Sequence, residues 1–163
     1  MNQYLENKEI LPDNLLLVIN LIVEKFPDVV FGGSLALNAV GLLNREIFDI
    51  DLFIEDISIQ ESGFGKFLGK YWDRNMLSDT VTDLNGNRIQ RIGLKINDVH
   101  ICTFKVSDEY LQHSFIELRD GLKIKIQNVN YAIQAKISYA QSDMLSKHTK
   151  DLKEINDNLD IAF

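Results

Sequence analysis

The eight residues Ile47-Phe48-Asp49-Ile50-Asp51-Leu52-Phe53-Ile54 limit the folds open to this chain more than any other stretch. Side chains alternate across a strand, so Phe48, Ile50, Leu52 and Ile54 share one face while Asp49, Asp51 and Phe53 share the other. Large apolar residues around both acids predict a central strand whose polar face looks into a cleft, against the alternative of an exposed acidic strand edge. Two carboxylates at i and i+2 on one face repel, because unit charges about 4 Å apart cost roughly 4 kcal/mol at an effective dielectric of about 20. A cation between them, or a shared proton, relieves that repulsion. Mg²⁺ does so with one or two protein carboxylates, waters and substrate phosphates.

Upstream, Val29-Val30-Phe31 predicts a short buried strand that turns at Gly32-Gly33-Ser34, with Ser34 as cap of a helix over 35–43. Two glycines let the backbone approach phosphate oxygens, the start of a helix offers unpaired N–H groups, and the Ser34 hydroxyl adds a donor. Alone, Gly-Gly-Ser reads as a tight turn and a cap. Beside Asp49 and Asp51 it reads as a phosphate cradle.

The remaining pattern predicts an amphipathic helix over 12–25 and a weak helix over 61–72, whose Phe67, Tyr71 and Trp72 suit a core or groove wall. Asn85-Gly86 is a hairpin turn signal, 88–96 and 99–106 are paired strands across Asn97-Asp98, and Lys123-Ile124-Lys125-Ile126 alternates like an edge strand. From Asn128 the period is helical, with a break near 142–146. The expected fold class is therefore α/β (α+β): a small mixed sheet flanked by helices, in one domain over 1–163 with a sheet core over 1–127 and a helical C-terminal part over 128–163.

Composition narrows the function classes. Seventeen Lys and Arg against 24 Asp and Glu give a net charge of −7, which argues against coating nucleic acid by bulk electrostatics and leaves only a local basic groove of Lys123, Lys125, Lys136, Lys147 and Lys150. The single cysteine, Cys102, forms no internal disulfide and reads as a small buried hydrophobe. His113 and His148 have no partner at metal-ligand spacing and read as surface residues. No apolar run is long enough for a membrane span and the N-terminus lacks a secretory pattern, so a cytoplasmic, membrane-free protein is expected.

Gly32-Gly33-Ser34, an intervening helix, Arg45 and Asp49-Ile50-Asp51, in that order, resemble the nucleotidyltransferase superfamily of the DNA polymerase beta type. The pattern is most similar to the branch that includes the AbiEii-type toxins, in which an Arg precedes the Asp-x-Asp by four residues, as Arg45 precedes Asp49. That branch carries a Lys on a helix after the sheet and a Lys-Asp pair on the next helix, which Lys136 and Lys150-Asp151 match. The matching blocks span 29–54 and 122–155.

The resemblance implies transfer of a nucleoside monophosphate from an NTP to an acceptor hydroxyl of RNA such as a tRNA end, of a protein or of a small molecule, with Mg²⁺ or Mn²⁺ on Asp49 and Asp51. Gly32, Gly33, Ser34, Arg45, Lys136 and Lys150 would hold the triphosphate. Arg45 has a second reading as a surface charge paired with Glu46 or Asp49. On the later strand where the family has a third carboxylate, this chain has His100, so the proton acceptor falls to His100 or Asp151. The same departure motivates an alternative: a catalytically inactive nucleotide- or protein-binding module of phage or toxin-antitoxin origin.

Overall fold

The computed structural model describes residues 10–55, 77–82, 88–96, 98–143 and 146–162. The expected helix over 61–72 and the Asn85-Gly86 turn lie outside them.

Helix α1 (Asp13–Lys25) starts where the fixed φ of Pro12, −61°, suits an N-cap, with Asp13 in the first turn and Lys25 in the last, each complementing the helix dipole. Its buried stripe of Leu15, Leu16, Val18, Ile19 and Ile22 belongs to the main core. Strand β1 (Val30–Phe31) follows, and then α2 (Gly33–Ala39). This helix ends earlier than the expected 43 because Gly41 takes a left-handed φ of 81° and its N–H turns back to the Asn38 carbonyl at 3.1 Å.

The remaining strands are β2 (Asp49–Ile54), β3 (Leu77–Thr82), β4 (Arg88–Ile96), β5 (Val99–Lys105), β6 (His113–Glu117) and β7 (Lys123–Gln127). They form one mixed sheet in the order β3-β4-β5-β2-β1-β7-β6. β2 runs parallel to β5 on one side and antiparallel to β1 on the other, so the acidic strand is interior, as its pattern predicts. Its burial alternates as expected: Ile50, Leu52 and Ile54 are buried, while Asp49, Asp51 and Phe53 are half-buried on the opposite face.

Ile50 and Leu52 join Phe31, Ile92, Ile101, Ile124, Ile126 and the α1 stripe in the core on one side of the sheet. Each such side chain contributes about 1.5–3 kcal/mol by leaving water. On the other side, Phe53 and Phe104 stack with centroids 5.2 Å apart beside Tyr110 and Tyr131. Helices α3 (Val129–Asp143) and α4 (Ser146–Ala162) make up the helical C-terminal part. They pack on α2 and the loop after it through Leu37, Leu42, Leu43, Ala132 and Ile155.

Three expectations are corrected. Lys123 to Gln127 is not an edge strand: β7 pairs with β1 in parallel and with β6 in antiparallel, and β6, unread in the sequence, forms that edge. Phe48 precedes the strand and is 57% exposed, so it does not share the core with Ile50. Ser34 makes no capping hydrogen bond; Gly32 is the N-cap, and Ser34 lies within the first turn with its hydroxyl turned to Arg45. No helix among the described residues is long and apolar enough to cross a membrane.

Candidate functional site

Asp51 and the glycine turn meet at one point. Gly33 has φ +60°, and a Cβ there would sit 2.1 Å from Asp51 Oδ2, so the bare backbone of Gly33 lies directly against the carboxylate. Gly32 is extended, and its need is for space: a Cβ would meet Phe53 Cε2 at 2.3 Å and Gln127 Oε1 at 2.9 Å. Its N–H donates to the Asp51 carbonyl at 3.0 Å, tying the turn to the acidic strand. A Gly33→Ala variant therefore meets two penalties, a left-handed φ costing about 1–2 kcal/mol and a methyl group displacing the Asp51 carboxylate. Thermal unfolding should report a loss of that order, while Mn²⁺ titration should report a disproportionate loss of binding.

Strand register extends the acidic face sideways. Asp49 pairs with His100, Asp51 with Cys102 and Phe53 with Phe104 across the parallel β2–β5 ladder, so these side chains emerge on one side of the sheet. His100 is exposed and Cys102 half-buried, a degree less than expected for the cysteine. Among the described residues no group of three or more His, Cys, Asp or Glu side chains is placed to hold a metal ion. Two half-buried oxygen donors on a shared face, next to a backbone that admits no side chain, do fit a hard cation completed by phosphates and water.

A second cluster ties the distant helices to this turn. Arg45 donates from Nε and Nη2 to Oδ1 and Oδ2 of Asp151, both at 2.8 Å, and Nη2 also donates to Ser34 Oγ at 2.8 Å. Lys136 Nζ donates to Asp151 Oδ2 at 2.7 Å. Asp151 and Lys136 are buried and Arg45 is partly exposed. Burial pushes the Asp151 carboxyl up, but the hydrogen bonds and charges of Arg45 and Lys136 outweigh it, and its pKa lies below the ordinary 3.8.

The structure thus brings Gly32, Gly33, Ser34, Asp49, Asp51 and His100 to one side of the sheet, with Arg45, Lys136 and Asp151 locked behind Ser34. Lys150 is exposed and does not take part in that cluster. Arg45 pairs with neither carboxylate expected as its surface partner; it reaches Glu46 only at the backbone oxygen, 2.9 Å away, and its guanidinium stands over the Phe48 ring at 6.0 Å. Of the lysines of the expected basic groove, Lys136 is held by Asp151 and Lys125 by Asp28 at 3.1 Å, while the side chain of Lys147 lies outside the described residues.

Asn38 joins this neighbourhood although no motif in the sequence singles it out. Fully buried in α2, it donates from Nδ2 to the Ser34 carbonyl at 2.8 Å and accepts the Arg45 N–H on Oδ1 at 3.3 Å. A lone amide in Leu35-Ala36-Leu37-Asn38-Ala39 was the available signal, because a buried amide needs partners.

Comparison of the whole fold with solved structures finds a candidate nucleotidyltransferase from Thermotoga maritima, with a TM-score of 0.62 and 17% identity over 88% of this chain and 95% of that one. An antigenic nucleotidyltransferase-like protein from Paracoccidioides brasiliensis also matches, with a TM-score of 0.54 and 19% identity over 88% of this chain and 74% of that one. Comparison with protein-family models and with curated proteins finds no match. The chain has a nucleotidyltransferase-like fold, as the order of its motifs implies.

Proposed function

We propose that this protein transfers a nucleoside monophosphate from an NTP to an acceptor hydroxyl, releasing pyrophosphate. The single observation that supports the reading is the contact of Gly33 with Asp51, a bare glycine backbone against one of two neighbouring carboxylates. Asp49 and Asp51 would hold Mg²⁺ or Mn²⁺, which supplies Lewis-acid polarisation of the phosphoryl oxygens when bound. The rest is assigned to the chain's own groups. Because Ser34 Oγ accepts from Arg45, its own proton is left to donate to a terminal phosphate oxygen. The acceptor oxygen bonds to the α-phosphorus as the bond to the β-phosphate oxygen breaks, and the hydroxyl proton passes to His100.

His100 suits that role better than Asp151. It is exposed and lies next to Asp49 in register, whereas both Asp151 oxygens are occupied by cations that hold the carboxyl ionised and weakly basic. Lys136 is likewise committed to Asp151, so its role is to position Arg45 and Ser34, and Lys150 remains the lysine open to a triphosphate. The joining of Arg45 to the aspartate of Lys150-Asp151 supports placement near the AbiEii-type toxins. A cytoplasmic NTP pool would supply the substrate.

His100 also favours a second reading, an inactive module that binds nucleotide without turnover. Incubation with each labelled NTP, Mg²⁺ or Mn²⁺ and cell extract separates the two. Transfer of label to an acceptor, lost in Asp49→Asn, is the expected result; nucleotide binding with no pyrophosphate release overturns the transferase reading.

A further inference from the structure

Strand β6, His113-Ser114-Phe115-Ile116-Glu117, closes one end of the sheet, and among the described residues no strand lies outside it. The hydrogen bonds flanking the β6–β7 hairpin fix which of its backbone groups face outward. Asn128 N–H donates to the Gln112 carbonyl and Leu118 N–H to the Leu122 carbonyl, so residues 112 and 118 pair inward through their backbones. Antiparallel pairs alternate, which makes Ser114 and Ile116, opposite Ile126 and Ile124, the inward-bonded positions of the strand. The N–H and C=O groups of His113, Phe115 and Glu117 therefore point away from the sheet.

Natural edges are usually blunted by proline, lysine, a bulge or a covering element. β6 has no proline or lysine and no irregularity in its register with β7. It instead carries Phe115, 66% exposed, with His113 edge-on at 5.3 Å and Lys125 Nζ at 6.0 Å from its ring.

The strand is complementary to itself. In an antiparallel pairing centred on Phe115, Phe115 faces Phe115 of a second copy, and His113 and Glu117 face each other twice across the dyad. All three outward-facing residues then fall in hydrogen-bonded pairs, and the aromatic and the imidazole–carboxylate pairs lie on the same face. We propose that the protein self-associates through β6, joining two sheets into one across a twofold axis. A single short strand pair gives an interface at the weak end of the range, so the dimer is concentration-dependent.

Sedimentation velocity over low-micromolar to millimolar concentrations tests this on the full chain. The expected result is a monomer–dimer equilibrium that Phe115→Pro weakens by about tenfold or more; proline removes an outward N–H together with the exposed ring and leaves the hydrogen bonds to β7 intact. His113→Glu should weaken association by setting two carboxylates opposite each other and Glu117→Lys by removing the carboxylate opposite the imidazole, while the double variant, which pairs Glu with Lys, restores it. Circular dichroism and unchanged thermal unfolding of the dilute monomer separate lost association from lost folding. A monomer throughout the range, a dimer indifferent to Phe115→Pro, or a double variant no better than the singles overturns the proposal.

Discussion

Asp49→Asn and Asp51→Asn should each lower the proposed metal-dependent nucleotide transfer by about 10³-fold, the scale on which losing a group that stabilises developing charge is felt. The fold survives both changes, because the side chains lie half-buried on the face opposite the core and asparagine preserves their shape. Thermal unfolding without metal should move little, since both positions keep their side-chain shape and lie outside the core. In the parent protein Mn²⁺ should raise the unfolding temperature, as a ligand bound only by the folded state does, and in either variant that increment should vanish. Loss of activity with the metal-induced stabilisation intact would remove these residues from the proposed ion site. Full activity in both variants would end the transferase reading.

The second large effect belongs to Asp151→Ala. It removes the counter-charge that Lys136 and the partly exposed Arg45 share, and breaking a buried pair from one side costs about 3–5 kcal/mol. Because the Arg45 side chain is 22% exposed and water compensates part of its charge, the lower end, about 3 kcal/mol, is expected from denaturant unfolding. Replacing Lys136 with methionine together with Asp151→Leu should recover part of the loss by removing the most deeply buried charges. The pH dependence follows from the depressed pKa. A carboxylate whose folded pKa lies below its unfolded value stabilises the fold above the unfolded pKa, and that contribution fades as pH falls below about 4. The stability gap between the parent and Asp151→Asn should accordingly narrow on acidification from neutrality.

The parts of this site legible in the sequence are those encoded locally. Asp49 and Asp51 share a face because a strand has period two, and Gly33 meets Asp51 where the turn and the next strand converge. His100 was singled out through the family resemblance, and its register beside Asp49 was not readable, because a strand pattern fixes the face of a side chain but not its cross-strand partner. What escaped was non-local or lay in the backbone. Arg45 and Asp151 are 106 residues apart, and nothing in the spacing of either names the other as a partner. The Lys-Ile alternation of β7 reports that one face is polar, but says nothing about whether the backbone edges are paired. β6 passed unread because its burial hardly alternates: only Ile116 leans on the core.

The clasp between Arg45 and Asp151 bears on synthesis from the N-terminus. A nascent chain that has released β2 already carries both acids, yet the guanidinium that donates to Ser34 has no Asp151 anchor until residue 151 clears the ribosome. β7, which completes the neighbourhood of β1, also emerges late. Until residue 151 has emerged, the acidic pair stands beside a turn that lacks this clasp, so the neighbourhood of Asp49 and Asp51 is completed by residues made well after the acids themselves.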